Sequence, residues 1–116
     1  MMKDFKIEFN LADSEYMTAL RLAVGAVCAA ADTDVDGAED MKVCVTESCL
    51  ILKACGFENA VISLSGYKGV HADVRGEGGT PKPNDNEFSL ALVSALVSSL
   101  TLERTGDVIS GLSLTL

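Results

Sequence analysis

The alternation of apolar and polar residues in this chain predicts five strands. Residues 3–10 predict a half-buried strand, because Phe5, Ile7 and Phe9 lie on one side and Lys6 and Glu8 lie on the other. Residues 60–65 and 70–75 form two apolar runs around a Gly-Tyr-Lys-Gly turn and predict a β-hairpin. Residues 101–104 and 108–116 flank a Thr-Gly-Asp turn and predict a second pair of strands.

Apolar residues recur every three or four positions in three other segments, and this spacing predicts helices. The first covers residues 14–31 and follows an Asp-Ser-Glu sequence that offers a hydroxyl or carboxylate cap. The second covers residues 38–54 and stops at Gly56, and the third covers residues 87–100. Residues 76–86, with three glycines and both prolines, predict a loop whose length is typical of a functional or mobile segment.

These elements follow the order strand, helix, helix, strand, strand, helix, strand, strand. Hairpins join most of the strands, so we expect a mixed, mostly antiparallel sheet. Each helix has to bury its apolar stripe, and we expect all three helices to do so on one face of the sheet. The sequence therefore predicts an α+β fold, a two-layer α/β sandwich, in a single domain that spans residues 1–116.

Composition restricts the partners of such a domain. Of the 116 residues, 48% are hydrophobic and 22% are charged, which is a globular balance, and the formal net charge is −8. An acidic surface repels phosphate backbones, so nucleic acid is not an expected partner. The first residues lack the pattern of a signal peptide, and no apolar run is long enough to cross a membrane. We therefore expect a cytoplasmic protein with no membrane partner.

The pattern of potential metal ligands does not favour a metal site. The chain has one histidine, and its cysteines form no Cys-x-x-Cys pair. We expect the cysteines to be buried, reduced thiols: Cys28, Cys44, Cys49 and Cys55. In residues 32–39 aspartates occur at every second position at first, as in a calcium-binding loop. The twelfth position counted from Asp32, however, is Val43 instead of the required glutamate. A solvated turn that caps the next helix is the favoured interpretation.

Three short runs resemble those of one protein family. Residues 21–26 read Arg-Leu-Ala-Val-Gly-Ala, residues 39–49 read Glu-Asp-Met-Lys-Val-Cys-Val-Thr-Glu-Ser-Cys, and residues 74–79 read Val-Arg-Gly-Glu-Gly-Gly. In this order they resemble the first helix, the N box and the glycine box of anti-sigma regulatory factors. These are bacterial serine-protein kinases of the histidine-kinase-like ATPase (GHKL) superfamily. The resemblance covers nearly the whole chain and implies a degenerate member with the Bergerat ATP-binding fold.

The chain departs from the family in the nucleotide pocket that the resemblance implies. The magnesium-holding asparagine of the N box is replaced by Ile51, which offers no oxygen to a hard cation. The adenine-binding aspartate is replaced by Gly76. The next family glycine is present as Gly78, and Gly79 follows it. Glu87 brings negative charge to a helix start where the family binds phosphate through bare amides. We therefore expect no cofactor, and ATP and Mg²⁺ only if the family activity survives.

Each remaining candidate residue has two interpretations. The resemblance implies that Glu47, at the position of the N-box glutamate, activates the attacking hydroxyl. The other interpretation is an ordinary helix carboxylate. The loop of Gly76, Gly78 and Gly79 either cradles a phosphate through its amides or is a mobile turn. Arg21 lies in the helix that the family uses for partner contact, so it either contacts a protein partner or is a solvated arginine.

Two functions follow from the resemblance. The favoured one is an anti-sigma-factor-like regulator with a degenerate ATP pocket. It acts by binding a sigma factor or an anti-anti-sigma-like protein in a transcription-regulatory circuit, through the first helix and the sheet edge. The alternative is an active ATP-dependent serine-protein kinase with an atypical nucleotide site. Another small ligand, in a pocket that Ile51 and Leu52 make apolar, is left open, and so is a homodimer.

Overall fold

The computed structural model describes residues 4–116, so Lys3, the first residue of the predicted N-terminal strand, lies outside the described part. Within it, five strands and three helices follow the predicted order. The strands are β1 (Phe5–Asn10), β2 (Asn59–Ser65), β3 (His71–Glu77), β4 (Ser99–Thr105) and β5 (Val108–Thr115). The helices are α1 (Tyr16–Ala30), α2 (Val35–Ala54) and α3 (Glu87–Leu96). None of these helices combines the length and apolar character that crossing a membrane requires.

The described strands form one sheet in the order β1-β2-β3-β5-β4, and every neighbouring pair is antiparallel. The fold is therefore α+β, as predicted, with an antiparallel rather than a mixed sheet. The three helices form the second layer, where α2 lies in the middle and packs against α1 on one side and α3 on the other. This arrangement places α2 over the centre of the sheet.

Alternate side chains of the strands enter the core beneath the helices. In the central hairpin, Ile62 lies opposite Val74 and Leu64 lies opposite Ala72, and all four are buried. The inner stripe of α2 covers them with residues spaced by three or four: Met41, Cys44, Val45, Ser48, Cys49, Ile51 and Leu52. The one hydroxyl in this stripe is satisfied, because Ser48 Oγ donates to the Cys44 carbonyl at 2.8 Å.

The second helix begins earlier than the predicted residue 38, at Val35. Asp34 is the reason, since its Oδ1 accepts a hydrogen bond of 2.7 Å from the Gly37 N–H in the first turn. The interpretation of the acidic turn as a helix cap is thereby confirmed. The predicted side-chain cap of α1 is wrong, because no side chain caps that helix and its first turn is closed by backbone hydrogen bonds that begin at the Tyr16 N–H.

The third helix ends at Leu96 and not at residue 100. Val97 adopts an extended conformation, with φ −111° and ψ 158°. The Ser98 N–H then donates to the Thr115 carbonyl at 2.9 Å, which directs the chain into β4. Pairing with β5 therefore overrides the helical spacing of the last predicted turn.

The third strand is longer than predicted and shortens the glycine loop. It continues through Glu77, because Gly76 and Glu77 pair with Ala60 and Asn59 of β2. The loop before α3 consequently begins at Gly78. A residue expected in a loop, Gly76, is thus a strand residue whose surroundings the sheet determines.

Candidate functional site

Glu47 and Ile51 lie one turn apart on α2 but have different surroundings. Ile51 is 2% exposed and belongs to the core. Glu47 is half-buried, and its Oε2 accepts a hydrogen bond of 3.2 Å from Ser89 Oγ of α3. The carboxylate therefore has a partner within the fold. A general base would need the hydroxyl of a substrate in the place that Ser89 occupies.

Arg21 lies on the exposed side of α1 next to α2. Its Nε donates to Thr46 Oγ1 at 3.4 Å, which is long for a hydrogen bond. Both side chains line a shallow cleft of about 270 Å³ between the two helices, and Glu47 lines the same cleft. Lys42 and Glu39, also in its wall, form an ion pair of 3.0 Å. The structure therefore brings Arg21 and Glu47 to one surface that carries both signs of charge.

Gly76 lies under the ring of Phe57, a residue of the turn between α2 and β2. A β-carbon at position 76 would stand 2.7 Å from both Cδ1 and Cδ2 of the ring and closer still to Cγ. Carbon atoms in contact prefer separations of about 3.5–4.0 Å. An aromatic ring therefore fills the space next to the position where the family resemblance implies an adenine-binding aspartate.

The glycine loop folds back on the C-terminal end of α2. Gly78 and Gly79 have φ values of +70° and +73°, which L side chains rarely adopt. Beyond them, the Thr80 N–H donates to the Gly56 carbonyl at 3.1 Å, and the Lys82 N–H donates to the preceding carbonyl of the same turn at 2.7 Å. These two amides are therefore bonded within the chain and are not free to cradle a phosphate.

Two carboxylates surround the start of α3. Asp85 Oδ1 accepts a hydrogen bond of 3.1 Å from the Glu87 N–H, while Asn86 makes no side-chain cap. The positive end of a helix dipole attracts anions, but here Asp85 and Glu87 already supply negative charge. This helix start is therefore a poor site for a phosphate group.

The thiols of α2 are protonated at neutral pH. Burial raises the pKa of Cys49 to about 12. For Cys44, burial and, to a smaller extent, the carboxylates of Asp40 and Glu47 raise the pKa to about 11. All four cysteines of the chain are buried and free, as the sequence predicts. Over residues 4–116, no group of three or more His, Cys, Asp or Glu residues has an arrangement that could hold a metal ion.

The open face of the sheet carries a polar row that the sequence analysis does not identify. The register places Lys6, Ser63, Asp73 and Ser113 side by side across four strands. Ser113 Oγ donates to Asp73 Oδ1, and Arg75 joins these residues around a cavity of about 310 Å³. The polar positions are visible in the sequence, but which of them are neighbours depends on the strand order.

An apolar groove between β1 and α1 is the second surface that sequence reasoning misses. Its volume is about 430 Å³. Phe5 and Tyr16, at its opening, are each 50% exposed, and Phe9 contacts Tyr16 edge to face with ring centroids 6.5 Å apart. The alternation of β1 and the spacing of α1 signal two apolar faces, and only their packing leaves a groove between them.

The candidate residues form two groups in the structure. Arg21 and Glu47 share the cleft between α1 and α2, whereas Gly76, Gly78 and Gly79 lie beside the turn that follows α2. A comparison of the chain with protein-family models finds no match, and a comparison with curated proteins finds none either.

Proposed function

We propose that the protein is an anti-sigma-factor-like regulator of the GHKL type that has lost its nucleotide pocket and acts by binding another protein. The relationship to the family rests on the three sequence runs at residues 21–26, 39–49 and 74–79. The order of helices and strands is compatible with it. The loss of the pocket rests on separate observations at three positions.

The position of Phe57 over Gly76 is the observation that carries the proposal. An adenine acceptor at position 76 would need a side chain in the space that the ring fills. Ile51 supports the same conclusion, because its 2% exposed side chain packs in the core, where a hard cation finds no oxygen ligand. The residues at these two positions do not fit Mg·ATP held in the manner of the family.

Backbone amides near the glycine loop and at the start of α3 also argue against a nucleotide, because they have partners within the chain. The amides of Thr80 and Lys82 are engaged with the turn after α2, and the amide of Glu87 is engaged with Asp85. A phosphate bound through these three amides would have to displace their hydrogen bonds and approach two carboxylates at the helix start.

A protein partner is supported by the outer surface of α1 and α2. Leu22 is 71% exposed on α1, and Val43 is 41% exposed on α2 in the cleft that Arg21 lines. Exposed apolar residues beside an arginine are typical of contact surfaces between proteins. The partner that we propose is a sigma factor or an anti-anti-sigma-like protein in a transcription-regulatory circuit.

Isothermal titration with ATP and Mg²⁺ tests the loss of the pocket. We expect no measurable binding and no phosphorylation of a protein serine. A micromolar dissociation constant would contradict the proposal and favour the alternative, an ATP-dependent serine-protein kinase. In that case Glu47→Ala should abolish transfer and spare binding, whereas unchanged transfer would exclude Glu47 from the reaction.

Recovery of partners from the native cell tests the second half of the proposal. The purified chain should retain a sigma factor or an anti-anti-sigma-like protein, and Arg21→Glu should weaken that retention. Lys82→Glu is the matched control, because it reverses a charge of the same sign in the exposed loop before α3, away from α1 and from the edges of the sheet. Recovery of neither protein, or equal loss with both variants, would count against a partner site on α1.

A further inference from the structure

The open face of the sheet has a recessed polar surface at its centre. Its middle positions carry small residues, because Ser63 of β2 lies across β3 from Ser113 of β5, and Gly111 of β5 has no side chain. Long charged side chains surround them. Lys6 and Glu103 belong to the two edge strands, β1 and β4, yet both line the same cavity of about 310 Å³. The small centre and the long rim together make this surface concave.

Gly111 allows two side chains of opposite charge to converge over one strand position. It lies opposite Arg75 of β3 on one side and opposite Glu103 of β4 on the other. A β-carbon at position 111 would stand 3.3 Å from Glu103 Cβ and 3.4 Å from Arg75 Cγ. Both distances are shorter than the separation of about 3.5–4.0 Å that carbon atoms prefer. Any side chain at position 111 would therefore push the arginine and the glutamate apart.

The charged groups of this surface do not neutralise one another. Arg75 and Glu103 flank the same glycine, and Lys6 lines the same cavity. Among residues 4–116, however, the one ion pair joins Lys42 and Glu39 of α2. Neither basic side chain of the cavity is therefore within ion-pair distance of a carboxylate in the described part of the chain. Both are available to a ligand.

Asp73 adds a second carboxylate to the cavity. Ser113 Oγ donates to its Oδ1, and this bond fixes the orientation of the carboxylate. The other oxygen, Oδ2, accepts no hydrogen bond from the described residues and can receive a donor from a ligand. The cavity therefore presents two cationic groups and two carboxylates.

A ligand for this cavity has to carry both signs of charge. A nucleotide would bring its phosphates against two carboxylates, and an apolar molecule would leave four charged groups without partners. The guanidinium of Arg75 matches a carboxylate through two parallel hydrogen bonds. An ammonium group is complementary to Asp73 and Glu103. The ligand class that this pattern favours has a carboxylate and an ammonium close together.

An α-amino acid carries these two groups on one carbon atom. A second carboxylate on its side chain matches the remaining cation, Lys6. A cavity of about 310 Å³ lies at the small end of the range for ligand sites, which agrees with a molecule of this size.

We propose that the protein binds an α-amino acid with an acidic side chain in this cavity on the open face of its sheet. Arg75 binds the α-carboxylate, and Lys6 binds the side-chain carboxylate. The ammonium group donates to Asp73 and Glu103. The helices cover the opposite face of the sheet, so this site is separate from the surface of α1 and α2 that we propose for a protein partner.

Titration of the isotope-labelled chain with L-glutamate, followed through the amide NMR signals, tests the site. We expect saturable shifts at Ser63, Arg75 and Gly111, with a dissociation constant of about 1 mM or lower. Glutarate differs from glutamate only in lacking the ammonium group and should bind about tenfold more weakly or worse. Sodium chloride at the same ionic strength should not produce these shifts.

Substitutions in the cavity test the assigned contacts. Arg75→Gln and Gly111→Ala should each weaken glutamate binding by about tenfold or more, because the first removes the guanidinium and the second separates it from Glu103. Lys6→Gln should weaken binding by about threefold or more, since one of the two carboxylates of the ligand loses its partner.

Lys53→Gln on the exposed end of α2 is the matched control for Lys6→Gln and should leave glutamate binding unchanged. The absence of saturable shifts on the open face overturns the proposal, and so does equal affinity for glutamate and glutarate. Equal losses in the two lysine variants also overturn it. The amide spectrum of each variant shows whether it is folded. The amino-acid site does not depend on the proposed function, because the titrations with glutamate and with ATP are separate measurements.

Discussion

The Phe57 ring covers Gly76 on the helix side of the sheet, with two ring carbons 2.7 Å from the point where a β-carbon of residue 76 would stand. The two positions are therefore coupled: an aromatic side chain at 57 requires glycine at 76. Gly76 pairs with Ala60 at the start of β2, and the turn that holds Phe57 leads into that strand. The missing side chain at position 76 is thus part of the packing of the fold.

Gly76→Asp should lower the free energy of unfolding by about 1–3 kcal/mol, because the new side chain displaces the Phe57 ring. Urea unfolding of the variant measures this loss. The same substitution in a Phe57→Ala background should cost less, since the ring is gone, and the difference is the coupling energy of the pair. An equal cost in both backgrounds would show that the ring does not restrict position 76.

Ile51→Asn, which introduces the residue that the proposed family relationship implies at this position, should destabilise the chain by about 3 kcal/mol or more. It removes a buried aliphatic side chain and places an amide without a partner in the core. Leu50→Asn is the matched control, because Leu50 is the preceding residue of α2 and is 43% exposed. We expect the control to cost less than about 1 kcal/mol, and similar losses in the two variants would contradict the burial of Ile51.

Asp34→Ala should lower the free energy of unfolding by about 1 kcal/mol, because the Gly37 N–H loses the acceptor that caps α2. Asp34→Asn keeps a capping oxygen and should change stability by only a few tenths of a kcal/mol. Thermal unfolding of the two variants side by side measures the difference. Equal melting temperatures would show that the cap contributes nothing.

Alkaline pH should destabilise the fold through its buried thiols. Burial raises the pKa of Cys44 to about 11 and that of Cys49 to about 12, above the ordinary thiol value of 9.0. The folded state therefore holds these protons more tightly than the unfolded state. The resulting stabilisation is complete below pH 9 and is lost as the pH rises through 11 and 12.

Urea unfolding between pH 7 and pH 11 measures this loss. Other groups also titrate in that range, so the informative quantity is the difference between the wild type and Cys49→Ala. The variant is less stable overall but should lose less stability with rising pH, because one buried proton is absent. Parallel pH profiles would exclude Cys49 as a source of the dependence.

Much of the fold is predictable from local patterns. The alternation in β1 and the helical spacing in α2 are properties of neighbouring residues, so both elements are recognised before any tertiary contact is known. Their ends are less well determined. Asp34 begins α2 earlier than its apolar spacing indicates, and Ser98 ends the third helix early because its N–H pairs with β5.

For the candidate site, the sequence alone predicts only which chemical groups are missing. The absence of an asparagine at position 51 and of an aspartate at position 76 is visible in the sequence. The ring that fills the space beside Gly76 comes from Phe57, nineteen positions away, and no local pattern relates the two. The hydrogen bond between Glu47 and Ser89 is equally nonlocal, since it depends on the packing of α2 against α3.

The sequence by itself determined the type and order of the helices and strands, because backbone geometry relates each element to the period of its apolar side chains. It also shows that position 51 is not an asparagine and position 76 is not an aspartate, the two residues that the family resemblance implies there. The tertiary structure alone decided the strand order and the neighbours of Gly76 and Glu47. These depend on contacts between residues far apart in the chain, which the burial of one shared core selects and local periodicity does not encode.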